Sequence, residues 1–226
     1  GEVGIWFRFT TDTRLSIDVV EFYDSQQGYE KGLTLPSVPP SGQHSKGVDS
    51  VWGMECHHNV VQKQVSTRDY NYRQATQDMN TRVDATGGDV TTYGDAYHWA
   101  DNYLTPGSAY DRNPAAESGA FYARIRHERY LNGQTQTVAF TSCPALSPGM
   151  RLKVTGGYEV AEVFTQGVVV TAMHSHARRD ADFCVRFDGI PDSADFCFRP
   201  APGRRPSPGG GRRSEEHTSE LQSHST

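Results

Sequence analysis

Residues 117–149, ESGAFYARIRHERYLNGQTQTVAFTSCPALSPG, contain a segment whose composition favours a helix, followed by a run that alternates like a strand. Alanine, phenylalanine, isoleucine and leucine residues give the first half helical propensity, and arginine, histidine and glutamate give it a charged exterior. Its apolar residues project to more than one side, which suits a helix held between two packed surfaces. We predict a helix near 117–131 and expect Gly133 to be left-handed after its last turn.

The segments on both sides of this helix have strand patterns. After it, residues 137–140 and 150–155 read as strands joined by a tight turn at 144–149. Other predicted strands are 5–9 and 15–19, paired as a hairpin, then 48–65, 70–72, 77–89, 90–99, 164–173, 183–187 and 196–199. The fold class is therefore mainly β, or β-rich α+β: an antiparallel, barrel-like sheet with one embedded helix.

Three segments differ in composition. Residues 1–47 form a hairpin plus a loop, in which Ile5, Phe7 and Phe9 share one face and 30–46 is a loop dense in Gly, Ser and Pro. Residues 48–202 form the barrel-like region, with a second loop at 101–116. Residues 203–226 are expected to be a disordered tail, and 213–224 read as a translated sequencing adapter, so the tail is left out of the fold and the function. For residues 203–212 a short natural linker is the alternative.

Composition excludes several classes of protein. The 226-residue chain has a net charge of −5 and no concentrated basic patch, which disfavours a nucleic-acid partner. No apolar run approaches the ~20 residues that span a bilayer, and no signal-peptide pattern is present, so we expect no stable membrane insertion. The chain opens without methionine, and we expect a truncated amino end. Its four cysteines lack metal-ligand spacing and predict reduced thiols and assembly in the cytoplasm.

Motifs for catalysis or cofactor binding are absent from the sequence. There is no nucleophile elbow, phosphate-binding loop, zinc-protease helix or dinucleotide fingerprint, so we predict neither an enzyme nor a cofactor. Alternation on a strand would let Cys56 and His58 share a site, and likewise His174 and His176. Nothing brings these pairs together, and we predict no metal. A carbohydrate-active enzyme or lectin is a remote alternative, in which Glu117 and Glu128 would be the residues to test.

Three segments resemble the hub region of VgrG, the Rhs-element Vgr family of type VI secretion tip proteins. These are the run at 117–155, the sequence STRDYNYR at 66–73, and VVVTAMHSH at 168–176. VgrG is itself similar to the baseplate hub and spike of contractile phage tails. The residues that match the family's motifs are Arg68, Asp69, Tyr70, Tyr72, Arg124, Arg126, His127, Glu128, Cys143, Pro148, Gly149 and His174. The resemblance covers residues 5 to about 202.

The resemblance implies a structural function and a set of partners. It implies a homotrimer seated on a hexameric, Hcp-like tube, with a spike that carries a PAAR-type tip protein and effectors. It also implies assembly in the bacterial cytoplasm and export through the machine without a signal peptide. A contractile phage tail is the alternative parent. Because the first hub barrel and the spike lie outside the resemblance, we expect the isolated fragment not to assemble a normal hub.

The charged and aromatic motif residues have two interpretations. The arginines, Asp69 and Glu128 are either solvated ion pairs, worth well under ~1 kcal/mol each, or contacts between subunits in which arginine fixes the register. The family favours the second. Six aromatic residues are likewise either core residues or interface anchors, and the sequence does not separate these roles. They are Tyr70, Tyr72, Tyr93, Tyr97, Trp99 and Tyr103.

Overall fold

The computed structural model describes residues 3–38, 47–86, 88–99, 102–108, 110–156, 160–176, 179 and 183–202, and the tail predicted at 203–226 lies outside them. Eleven strands and two α-helices lie within these ranges. The strands are β1 Trp6–Asp12, β2 Ile17–Tyr23, β3 Glu30–Pro36, β4 Val51–His58, β5 Gln64–Arg68, β6 Asn80–Val83, β7 Asp95–Trp99, β8 Thr135–Thr141, β9 Met150–Thr155, β10 Val168–His176 and β11 Cys184–Pro191; the helices are α1 Gly119–Asn132 and α2 Glu162–Gln166. The mainly β fold class with an embedded helix is confirmed.

The largest layer is a six-stranded sheet in the order β3-β9-β10-β11-β8-β4. An isolated bridge joins Ser37, just after β3, to Val51 at the start of β4, so the two edge strands meet and the sheet curls like a barrel. Apolar side chains from β3, β4 and β8–β11 fill its interior together with the ring of Phe164 from α2. This layer is the main core of the chain.

Strand β3 lies in the region predicted as a loop, so that prediction is wrong for residues 30–36. β3 pairs parallel to β9, far away in sequence, and Leu35 is buried in the core. Pro36 is tolerated because it ends the strand and β3 has a single strand neighbour in the ladder. Gly32 meets the backbone of β9 so closely that a Cβ there would overlap Arg151 O. The rest of the predicted loop, 39–46, lies outside the described residues.

Helix α1 packs on a second, three-stranded sheet in the order β6-β5-β7. Ala120 and Ala123 contact Val65 and Val83 of that sheet. The Ser118 hydroxyl caps the helix by accepting a hydrogen bond from the Phe121 N–H (3.2 Å). These contacts confirm the helix and place its small residues against the sheet.

The left-handed conformation expected at Gly133 is wrong. Gly133 has φ −85° and ψ −10°, in the right-handed region. The Gly133 and Gln134 N–H groups donate to the Tyr130 and Leu131 carbonyls, which forms a tight final turn that leads into β8 at Thr135. A left-handed residue would turn the chain away from this direct entry into the sheet.

The hairpin of β1 and β2 forms a sheet of its own, with Trp6 paired to Tyr23 at its base. Its prediction is confirmed, although both strands are longer than expected. One hairpin face carries Trp6 and Tyr23 toward Tyr29, Val169 and Ile190, which form a second apolar cluster separate from the main core. The other face carries Phe7 and Phe9 outward.

Four other predicted strands differ from the structure. Residues 48–65 divide into β4 and the start of β5, and residues 72–74 form a single 3₁₀ turn capped by Asn71. Phe164 lies in α2, not in a strand. Residues 196–199 are extended but join no sheet, because their backbone pairs with side chains. Neither α-helix of the described ranges is long and apolar enough to cross a membrane.

Candidate assembly surfaces

His127 of the family motif is a buried structural residue of α1. Its Nδ1 atom accepts a hydrogen bond from the Ala85 N–H (2.9 Å), so the proton lies on Nε2, which donates to the Gln62 carbonyl (2.9 Å). The ring is inaccessible to solvent, and burial lowers the pKa of His127. His127 therefore joins α1 to the segments that precede β5 and follow β6 as a neutral group.

Glu128 of the same motif is a buried carboxylate held by two arginines. It is only 2% exposed, and Arg124 Nε lies 3.2 Å from its Oε1 atom. Arg199 Nε donates to Oε2 at 2.5 Å. A carboxylate removed from water needs such charge-assisted hydrogen bonds. Glu128 is thus neither a solvated surface charge nor a free catalytic acid, and its interaction lies within one chain.

The sequence reasoning missed Arg199 altogether. Its side chain is mostly buried, and it also donates to the Gly4 and Asp24 carbonyls. Its neighbour Pro200 has a carbonyl that accepts from Arg129 Nε (3.2 Å). No short sequence motif marks Arg199, because all its partners are distant in sequence. Only the burial of Glu128 on α1 indicates that a cationic side chain must face it.

The second motif lies on the three-stranded sheet. Arg68 stacks over the Trp99 ring at 5.9 Å, and Asp69 Oδ2 accepts from the Tyr103 N–H (2.8 Å). No ion pair joins Arg68 to Asp69 within the described part of the chain. Asp69 instead fixes the segment that leads to α1, while Tyr70 and Tyr72 are exposed.

One face of this sheet points away from α1. Cross-strand register places Ser66 beside Tyr97 and Arg82, and Arg68 beside Trp99. We call these five residues the outer sheet face. Asp95 ties it together, because it accepts hydrogen bonds from Ser66 and Arg82. Tyr97 and Trp99 are more than half exposed, whereas Tyr103 is buried, so the aromatic set divides between surface and core.

A second exposed surface is the outward face of the hairpin. It consists of Ile5, Phe7, Phe9, Val20 and Phe22, which we call the hairpin face. Phe9 and Phe22 are 66% and 68% exposed. Phe7 packs edge-on against Phe9 at 5.7 Å and lies 6.1 Å from Phe22. Contiguous apolar surface of this kind marks interaction sites. The expectation that Ile5, Phe7 and Phe9 share a face is confirmed, and that face is exposed.

The chain also matches a known protein family. Residues 1–181 match the family model of the phage tail baseplate hub (GPD). The chain belongs to the phage tail baseplate hub family. A comparison with curated protein sequences finds no match.

Among the solved structures that align with the chain are those of a type VI secretion component and of two tail proteins. The c3393 protein of E. coli, a component of the type VI secretion system with structural similarity to the T4 bacteriophage tail proteins gp27 and gp5, aligns at 34% identity with a TM-score of 0.57. The alignment covers 88% of this chain and 37% of that protein, so the chain spans little more than a third of it. This likeness confirms the resemblance to a type VI hub. A tail protein of Neisseria meningitidis and the 43 kDa tail protein of prophage MuSo2 from Shewanella oneidensis align at 9% and 10% identity, with TM-scores of 0.49 and 0.47, over 78% and 81% of this chain and 48% and 49% of theirs.

The remaining hub motif residues lie in the six-stranded sheet and its turns. Cys143 is buried, Pro148 is exposed in a turn, and His174 lies on β10 with Nε2 3.7 Å from Asp188. Gly149 has φ +88°, and a Cβ there would press on the Trp6 and Arg8 side chains of the hairpin (3.2 Å). The motif residues thus lie in three separate places and do not converge on one site.

The hub chain offers little for acid, base or metal chemistry in the described residues. No group of three or more His, Cys, Asp or Glu side chains there has metal-binding geometry. Cys56 and His58 lie on β4, and β8 and β11 separate them from His174 on β10. Burial raises the pKa of the Cys56 and Cys197 thiols, which makes them poorer nucleophiles at neutral pH.

Proposed function

We propose that the chain is the hub segment of a VgrG-like protein, a structural part of a type VI secretion puncturing device and not a catalyst. The observation that carries the proposal is the 34% identity to the E. coli type VI component over 88% of this chain. The buried helix, the curled sheet and two exposed aromatic faces are what a packed assembly part requires. A contractile phage tail is the second candidate, because the family model itself describes a phage tail hub.

The proposed partners follow from the resemblance. Three copies of the parent protein would surround one axis on a hexameric, Hcp-like tube, and the spike would carry a PAAR-type tip protein and effectors. The parent would assemble in the bacterial cytoplasm and leave through the machine without a signal peptide. The net charge of −5 and the lack of a basic patch argue against nucleic acid as an additional partner.

The hairpin face supports contact between copies. An aromatic side chain presents ~150–250 Å² when fully exposed, so these five residues present on the order of 500 Å² of apolar surface. That matches the largest patches of typical monomers and approaches the ~800 Å² that one partner contributes to a standard interface.

A graft tests the proposal in a working machine. The corresponding hub segment of the E. coli relative is replaced by residues 3–202 of this chain, and release of tube protein into the medium is measured. We expect the graft to support tube release, because the fold and a third of the residues are shared. A matched graft with Phe9→Asp and Phe22→Asp should accumulate to the same level but release no tube protein.

Two results would count against the proposal, the first against the hub function and the second only against the role of the hairpin face. One is a graft that accumulates as folded protein, shown by protease resistance, yet releases no tube protein. The other is equal release by the original and the Phe→Asp grafts, which would leave the hub function intact but remove the hairpin face from it.

A further inference from the structure

The segment at 192–200 crosses from the end of β11 to the surface of α1 without joining a sheet. Side chains from elsewhere satisfy its backbone. Gln26 Nε2 donates to the Ser193 and Phe196 carbonyls at 2.6 and 2.5 Å. Three side chains of α1 serve the other carbonyls: Arg124 for Asp195 (3.1 Å), Asn132 for Cys197 (3.0 Å) and Arg129 for Pro200 (3.2 Å). We call this segment the strap; its backbone needs are met without a strand partner.

Arg199 lies where the strap, the hairpin and α1 meet. Its Nη1 atom donates to the Gly4 carbonyl (3.0 Å) and to the Asp24 carbonyl (2.7 Å). Gly4 comes just before β1 and Asp24 comes just after β2, so one guanidinium closes the open end of the hairpin. The Nε bond to Glu128 then ties that end to α1, and the Arg199 N–H donates to the Asn132 side chain (2.7 Å).

The other attachments of the hairpin lie on the face that carries Trp6 and Tyr23. The hairpin is a separate two-stranded sheet, and such pairs are marginally stable by themselves. Trp6 anchors it in the core beside Tyr29, and Arg8 reaches Glu30 of β3 (2.7 Å). Both contacts lie on one face of the hairpin, and the Arg199 contacts add a tie from its open end to α1.

Gly4 gives independent support for this arrangement. It has φ +75°, which L side chains rarely adopt. A Cβ there would come within 3.0 Å of Arg199 Cδ and 3.1 Å of Ile125 Cγ2. A side chain at this position would therefore be strained by the backbone conformation and would press on both Arg199 and α1.

We infer that Arg199 is a positioning residue: it fixes the hairpin, and with it the hairpin face, at a set orientation to α1. The inference rests on the proposed function in one respect: that function supplies the partner to which the hairpin face binds. Lysine could not replace Arg199, because one ammonium group lacks the planar fork that reaches a carboxylate and two carbonyls at once. A rigidly presented face binds with less ordering cost than a mobile one.

Hydrogen exchange measured by mass spectrometry on the whole chain tests the inference. In Arg199→Ala and in Gly4→Ala we expect amides of β1 and β2 to exchange at least about tenfold faster, while β8, β10 and β11 keep their rates, because opening is local. In Arg199→Lys the amides of both strands should also exchange faster than in the wild type. Arg82→Ala is the matched control, because Arg82 also pairs with a carboxylate but lies on the outer sheet face. In this variant the amides of β1 and β2 should exchange as in the wild type.

Three outcomes would overturn the inference: hairpin rates within about twofold of wild type in Arg199→Ala, equal acceleration in every strand, or full rescue by lysine. If Arg199→Ala does not fold, Gly4→Ala and Arg199→Lys give the same measurement. The proposed function is judged separately by tube release. If the graft releases tube protein but Arg199→Ala leaves the exchange rates of the hairpin unchanged, the proposed hub function stands and the positioning role of Arg199 is wrong.

Discussion

Mild acid should destabilise the chain through His127. The folded protein holds this histidine neutral, because its Nδ1 atom faces the Ala85 N–H at 2.9 Å and would meet a second hydrogen if protonated. Burial lowers its pKa below the ordinary value of 6.5. The unfolded chain therefore binds more protons between the two pKa values, so stability is full above pH 6.5 and falls as the pH drops below it.

The size of this effect follows from proton linkage. One pKa unit corresponds to about 1.4 kcal/mol, so the folded state loses that much stability for each unit by which burial lowers the pKa of His127. His98 shifts in the same direction because of burial and the charge of Arg126, so the wild type loses more than this in total. The loss due to His127 levels off below its folded pKa.

Urea unfolding of the wild type and of His127→Gln at a series of pH values isolates the contribution of His127 to the free energy of unfolding. The variant should be less stable by about 1–3 kcal/mol near neutral pH, because a buried backbone group loses its partner. Its loss of stability on acidification should be smaller than that of the wild type, because the buried neutral imidazole is gone. Parallel curves for the two proteins would refute the neutral, buried histidine. His174→Gln, on the exposed end of β10, controls for removal of any histidine.

Substitutions at three further positions test the packing by urea unfolding. Phe164→Ala, in the interior of the six-stranded sheet, should cost about 3–5 kcal/mol, and a loss below about 1 kcal/mol would contradict its place there. Ser118→Ala should cost about 1 kcal/mol, because the Phe121 N–H loses its cap, whereas Ser118→Gly should cost only a few tenths. Phe9→Ser should stay within about 0.5 kcal/mol of wild type, because its ring is exposed, yet it should lower tube release by the graft; a large loss of stability would mean that the hairpin face is packed within the chain.

Local patterns predicted the elements that depend on neighbours in sequence. Helix α1, the alternation of β8 and β9 and the pairing of β1 with β2 are encoded within short windows, so they could be predicted. The Ser118 cap and the register of the hairpin, in which Phe9 lies opposite Val20, were not predicted. Phe164 was wrongly predicted to begin a strand, because the five-residue helix α2 is too short to show a helical period. The domain boundary proposed near residue 47 stays a prediction.

Features that depend on distant partners were not predictable from a single sequence. β3 reads as a loop because proline and glycine are common in it, and its pairing with β9 appears only in three dimensions. The strap reads as a strand because it is extended, but its hydrogen bonds go to side chains. Arg199 is one arginine among many until Glu128 is seen to be buried, and the family motif alone suggested contacts between subunits.

The most direct test of the hub assignment is cryo-electron microscopy of the grafted tail assembly. The account predicts three copies of the grafted segment around the axis at the end of the tube, with Phe7, Phe9 and Phe22 of each copy buried against a neighbouring copy. Copies that lie away from the tube end, or hairpin faces that contact only solvent, would contradict it.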